Sequence, residues 1–309
     1  MQTWCRLINR HAKCELITTA ADRFFLSDVE TFMYRTALVA LHPERSNDTL
    51  LNFALDLARR HALRLEGIAI LDRDRAAPRE PIPIGGSAFK VMRDEAVTAR
   101  TRDGIRSVLA EFTARCHQAG IVHDAIASED GLACEIAHAV QKCDVLLIGH
   151  AAGVEGGEHP SEPSPLNDIL KHCPRPAIVV PSVAPPSGSI VVAYDGSSQA
   201  ARALQAFIAS GFLRDAVVQV VSFDRDERIA QGWAEMATEF LRRHGYRAFQ
   251  GAARSEAAVG ESILAAAQRH SAQLLVMGAL GKPTVREFFF GSVTRHILQA
   301  AAIPVFLDH

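Results

Sequence analysis

Aromatic residues are scarce in this sequence, at 6% of 309 positions. So few rings provide no row of stacking platforms for single-stranded nucleic acid. The chain also lacks an excess of either charge: 33 Lys and Arg against 35 Asp and Glu leave a formal net charge of −2. That balance gives neither the basic footprint of a DNA or RNA binder nor an acidic tail. No apolar run approaches the ~18 residues of a membrane-spanning helix, so no membrane partner is expected. The cysteines Cys5, Cys14, Cys116, Cys134, Cys143 and Cys173 include no Cys-x-x-Cys pair. They read as reduced thiols of a cytoplasmic protein. Residues 1–32 have no apolar central stretch and do not read as a secretory signal. They are expected to be an N-terminal extension, with a native start at Met33 as the alternative.

What the chain does have is a repeated pattern. Its length suggests two domains, and 48% hydrophobic residues can fill a core in each. Near the start of each half an apolar strand runs into a helix: Ala37 to His42 and then Asn47 onward, Ile190 to Asp195 and then Ser198 onward. His42 falls where Asp195 stands in the second copy. Later in each half an apolar strand ends in glycine, Val145 to Gly149 and Leu274 to Gly278. A loop, a short helix and a last strand beginning with proline follow, Pro176 to Val180 and Pro304 to Leu307. The glycine-to-proline spacing is 27 residues in the first copy and 26 in the second. Internal self-similarity of this kind marks a duplicated unit.

Between these landmarks strand and helix alternate. Leu65 to Leu71 and Val217 to Phe223 read as second strands. Helical stretches follow, over about Lys90 to Gln118 and Ile229 to His244. Ser46 is placed to cap the helix from Asn47, whose Leu50, Ala54, Leu57 and Ala58 form one apolar face. The strands are continuous apolar runs, as a parallel sheet buried on both faces requires. The fold class is therefore α/β, two tandem doubly wound parallel-sheet domains. The expected division is an extension at 1–32, a first domain at 33–182, a Pro/Gly-bearing linker at 183–187 and a second domain at 188–309. The Pro/Gly-rich stretch Ala76 to Ser87 is a loop or lid.

In an open parallel sheet, ligands bind outside the carboxyl ends of the strands, where strand order reverses. The second half has Gly278-x2-Gly281-x9-Gly291-Ser292 leaving such a strand end. Glycines let backbone approach a ligand, and the helix opening at Ser292 presents free N–H groups that suit phosphate. Ser292 and Thr294 add hydroxyls, and Lys282 and Arg286 add charge. The competing reading is that these glycines only shape turns.

The spacing Gly-x2-Gly-x9-Gly-Ser, with the strand Ile190 to Asp195 ahead of it, resembles the universal stress protein family in its tandem two-domain form, over essentially all of 34–309. The resemblance implies a Rossmann-like fold of the adenine nucleotide alpha hydrolase type. It also implies pairing of the two last strands into an intramolecular pseudo-dimer. Asp195 matches the acid that binds ribose, with helix capping as its competing role. Ala193, Tyr194 and Ser222 match adenine-pocket positions, and Met277 and Gly278 match the strand end beneath the nucleotide. Gly281, Gly291, Ser292, Val293 and Thr294 match the phosphate loop. The implied ligand is ATP, ADP or AMP, with magnesium as an open accompaniment.

The first half departs from the pattern: His42 replaces the acid, the glycine after Gly149 comes late at Gly153, and Pro163-Ser164 replaces Gly291-Ser292. Proline has no N–H to offer a phosphate. Glu155, Glu158 and Glu162 oppose one by charge. One nucleotide per chain is therefore expected, the first half being either a structural half or a binder of something else. His150, His159, His172 and Cys173 have irregular spacing and are expected to be surface or packing residues rather than metal ligands. There is no Walker-type Gly-x4-Gly-Lys-Ser/Thr sequence. The expectation is a nucleotide-binding stress-response regulator with at most slow ATPase activity, an unidentified protein partner and a homodimer as a further association. The alternatives are an ATP-using enzyme on the same fold and a ligand-free interaction protein.

Overall fold

The protein is described by a computed structural model over residues 33–71, 87–129, 132–150, 165–183, 187–254, 258–279 and 291–308. Its first five strands are β1 (Thr36–Leu41), β2 (Arg64–Ile70), β3 (His123–Ser128), β4 (Val145–Gly149) and β5 (Ala177–Val180). Between them lie α1 (Asp48–His61), α2 (Ser87–Ala119), α3 (Leu132–Ala139) and α4 (Pro165–His172). The second half repeats the order with β6 (Ser189–Ala193), β7 (Val217–Asp224), β8 (Arg247–Arg254), β9 (Ala272–Gly278) and β10 (Val305–Asp308). Its helices are α5 (Ser198–Ser210), α6 (Glu227–Arg243), α7 (Val259–Arg269) and α8 (Ser292–Ala300).

The ten strands among the described residues form one sheet in the order β3-β2-β1-β4-β5-β10-β9-β6-β7-β8. Each half is thus wound β1-outward in one direction and then β4-β5 in the other, the doubly wound arrangement. Every pairing is parallel except the seam, where β10 meets β5 antiparallel with Phe306 opposite Ile178. The expected pseudo-dimer is therefore present, and the two last strands make it.

Strand geometry explains the layering. Successive side chains point to opposite faces. Ala37, Val39 and Leu41 enter one core with α1, α2, α5 and α6, through residues such as Leu51, Phe112, Phe207 and Leu241. Leu38 and Ala40 enter the other with α3, α4, α7 and α8, through Ile136, Ile169, Ile263 and Ile297. Both cores run through the seam. Phe306, fully buried in β10, meets Phe207 of α5 edge-on with ring centroids 5.9 Å apart. Phe306→Ala would remove roughly 3–5 kcal/mol at that junction.

Two local details differ from the sequence reading. The residue before α1 is Asn47, whose side chain turns back to His42: its Oδ1 accepts the His42 N–H at 2.9 Å and its Nδ2 donates to the His42 carbonyl at 2.9 Å. Ser46 still serves the first turn, its Oγ accepting the Asp48 N–H at 3.2 Å. The third strand of each half, β3 and β8, was not expected. Both are sheet edges.

Candidate functional site

At the end of β6 the chain passes through Tyr194, Asp195 and Gly196 into α5. The Tyr194 N–H donates to the Val221 carbonyl at 3.0 Å, and the Ser222 hydroxyl donates to the Tyr194 carbonyl at 2.7 Å. These bonds tie the carboxyl ends of β6 and β7 together. Burial, and then the neighbouring Asp195 carboxylate, raises the Tyr194 phenol pKa, so the ring stays neutral. Asp195 is exposed, and its Oδ1 accepts the Ser197 N–H at 3.0 Å. Ser197 in turn caps α5, its Oγ accepting the Ala200 N–H at 3.1 Å. The cap of α5 is therefore Ser197 rather than Asp195, which braces the turn that leads into it.

Across the switch in strand order, β9 ends at Gly278. A Cβ there would stand 2.5 Å from the Ala200 nitrogen and 2.6 Å from the Gln199 carbonyl carbon. Glycine is needed at this position so that the strand end and the N-terminus of α5 can touch. The helix α8 begins beyond Gly291, which has φ −55° and ψ 150°. Gly291 has no side chain to cap the helix, and the first-turn N–H groups have no intrahelical partner.

These segments surround a cavity of about 200 Å³. Its wall is formed by Ala193, Tyr194 and Asp195 from the end of β6 and by Ser197, Gln199 and Ala200 from the start of α5. Met277, Gly278 and Ala279 close it at β9, and Gly291, Ser292, Val293 and Thr294 close it at α8. Three helix N-termini converge here, because Val259 and Ile263 from the start of α7 also line it. Asp195 is the one charged residue among the lining residues described.

Most residues singled out from the sequence thus meet at one place. Ser222 does not line the cavity: buried at 2% exposure, it spends its hydroxyl on Tyr194, while Val221 and Phe223 on either side of it face the cavity. Strand alternation was the available signal for that pair. Val259 and Ile263, four apart on one helix face, and the first turn of α5 were also missed. Gly281, Lys282 and Arg286 lie outside the described residues.

The matching place in the first half is built differently. His42, like Asp195, lies two residues past a strand residue paired with the glycine-ended strand, since Ala40 pairs Ile148 as Ala193 pairs Met277. Its Nδ1 accepts the Glu44 N–H at 3.1 Å, and Asn47 Nδ2 donates to the Arg45 carbonyl at 3.0 Å. The loop after β1 is folded onto its own side chains. Gly153, Glu155, Glu158, His159, Glu162, Pro163 and Ser164 lie outside the described residues. His172 Nδ1 sits 2.9 Å from the Asp168 carbonyl on its own helix, and Cys173 donates to the Arg175 carbonyl at 3.2 Å. Among the described residues no three His, Cys, Asp or Glu side chains gather as a metal site, and no helix is long and apolar enough to cross a membrane.

Comparison with known proteins agrees with this architecture. The model of the universal stress protein family matches residues 187–309. A universal stress protein of Synechocystis sp. is 26% identical over 167 residues, 52% of this chain and 56% of that protein, so the match spans about half of that relative. The crystal structure of a universal stress protein from Archaeoglobus fulgidus superposes with a TM-score of 0.63 at 17% identity, covering 88% of this chain and 97% of that one. A protein of unknown function from Pseudomonas aeruginosa PAO1 gives 0.60 at 16%, covering 89% and 92%. These two share the fold across both halves. Residues 187–309 thus match the model of the universal stress protein family, and one fold, shared with these solved structures, is built twice along the chain.

Proposed function

We propose that the C-terminal half binds one adenine nucleotide in the strand-end cavity and that the protein is a stress-response regulator governed by that occupancy. The observation that carries this reading is the convergence of three helix N-termini, an apolar slot and one carboxylate on a single cavity. Val221, Phe223, Ile263 and Met277 offer the apolar walls that a purine ring requires. Asp195, with Oδ1 already held by the Ser197 N–H, keeps its other oxygen for ribose hydroxyls. At about 200 Å³ the cavity is smaller than the ~300–1,000 Å³ of a typical enclosed ligand pocket. Base and ribose fill it, and the phosphates extend along Gly291 to Thr294, where helix N–H groups and dipole favour anions. Gly281, Lys282 and Arg286 belong to the same phosphate loop in this reading.

A magnesium ion accompanying the phosphates would find Ser292 and Thr294 hydroxyls nearby, with no protein carboxylate besides Asp195 among the described lining residues. Hydrolysis is slow or absent, because no described acid is placed at the α8 side to orient a water. The output is then a change of shape or partner affinity, in a cytoplasmic protein able to associate further as a homodimer. The first half, with His42 turned into its own loop, has a structural role. A mass spectrum of small molecules released from the natively purified protein tests the reading. It should contain AMP, ADP or ATP; a different bound metabolite would overturn the assignment.

A further inference from the structure

The turn that holds Asp195 is gripped from outside the cavity. Gly196 has φ +75°, in the left-handed region that favours glycine. A Cβ on it would stand 2.4, 2.5 and 2.6 Å from Cδ2, Cε2 and Cε3 of Trp233. The indole of this α6 residue therefore lies flat against the glycine, in the space that any other side chain would occupy. On either side of Gly196 stand Asp195 and Ser197, which both line the cavity and are joined by the Ser197 N–H to Asp195 Oδ1 bond. Ser222 holds the preceding carbonyl, that of Tyr194.

The first half meets the same packing problem with the sizes reversed. There the helix after the second strand brings Gly104 against Pro43, one residue past His42, and a Cβ on Gly104 would lie 2.5 Å from the Pro43 carbonyl oxygen. The glycine is on the helix there, and what it meets is the backbone carbonyl of the loop residue. In the second half the loop is glycine, the most permissive residue, and an aromatic ring from the helix restrains it. A Gly196 turn without that ring would let Asp195 and the first N–H groups of α5 sample many orientations.

We infer that Trp233 is a positioning residue of the nucleotide site: by pressing on Gly196 it fixes the Asp195 carboxylate and the N-terminus of α5 for the ligand. This role rests on the nucleotide reading above. It makes Trp233 an internal reporter as well, one residue removed from the ribose-binding acid. Only Trp4 shares its fluorescence, as the chain has two tryptophans.

The test uses the full chain carrying Trp4→Phe, with ATP as the probe. Emission from Trp233 should shift or change intensity on saturation with ATP, and Trp233→Phe should keep ATP affinity within about threefold while Trp233→Ala weakens it by about tenfold or more. Gly196→Ala should also weaken binding, and adding Trp233→Ala to it should cost less than the two single losses combined, because the ring and the methyl group compete for one space. Unchanged Trp233 emission at saturating ATP would overturn the role even if Trp233→Ala fails to fold. So would a folded Trp233→Ala protein that binds ATP like its parent. If the parent itself gives no ATP binding by calorimetry, the nucleotide reading falls and this role falls with it.

Discussion

Gly278 and Ala200 are in backbone contact: a Cβ on the glycine would lie 2.5 Å from the Ala200 nitrogen. The end of β9 and the first turn of α5 are therefore fitted closely to each other. The atoms in the way are backbone, which cannot swing aside as a flexible side chain can. Gly278→Ala should lower stability by about 1–3 kcal/mol, as overpacking does. It should also weaken ATP binding, because α5 must retreat from the cavity. Urea denaturation and calorimetry measure both; parent-like values would show that the two segments are not pressed together.

Asp195 holds the Ser197 N–H, and the proposed contact to ribose can be separated from that task. Asp195→Asn keeps an oxygen to accept the Ser197 N–H, so the turn into α5 should persist and thermal stability should change little. The charge that strengthens a hydrogen bond to ribose is lost, which should weaken ATP binding by about tenfold. A calorimetric Kd equal to that of the parent would remove Asp195 from the ligand.

Much of this arrangement was legible in the sequence because buried parallel strands announce themselves. Val145 to Gly149 and Leu274 to Gly278 are continuous apolar runs ending in glycine, and both are strands as read. The edge strands were not legible. β3 reads His-Asp-Ala-Ile-Ala-Ser, with four of its six positions exposed, and β8 reads Arg-Ala-Phe-Gln-Gly-Ala-Ala-Arg. An edge strand is covered less completely and needs no apolar run. Gly278 was legible as a turn-former, yet its steric reason, Ala200, comes from a helix 78 residues away in sequence. The family resemblance points to Ser222 as a pocket residue, but the pleat places Val221 and Phe223 at the cavity instead. One register step on a strand exchanges the two faces. The clamp of Trp233 on Gly196 has no local signature at all.

His61 gives the fold a pH dependence. It ends α1 at 8% exposure, with its ring 4.9 Å from that of Phe212, which also meets Tyr34 edge-on at 5.6 Å. Burial first, and then the Arg60 charge, lowers its pKa below the ordinary 6.5, with Asp56 pulling the other way. The unfolded chain takes up the proton at higher pH than the folded one. This contribution to stability is thus complete above about pH 6.5 and is lost as pH falls through the lowered folded value. Melting temperatures between pH 8 and pH 5 should fall more steeply for the parent than for His61→Phe, which keeps a ring against Phe212. Parallel curves would contradict the assignment.

The thiols should sort by burial. Burial pushes Cys116 up to about 11, Cys143 up to about 12 and Cys173 up to about 11, so hardly any thiolate exists at neutral pH. Cys134 is exposed. Brief alkylation of the native protein followed by peptide mass spectrometry should label Cys134 and spare the other three until denaturant is added. Native labelling of Cys143 at the rate of Cys134 would be the contrary result.

The central claim is a single nucleotide held at the N-terminus of α8 in the C-terminal half. Gly291 has φ −55°, which proline accepts, so Gly291→Pro removes an N–H at the phosphate side without forcing a new backbone angle. Calorimetric titration with ATP tests the claim most directly. It should give one site per chain for the parent and no measurable binding for a folded Gly291→Pro variant. Two sites per chain, no binding by the parent, or undiminished binding by Gly291→Pro would contradict it.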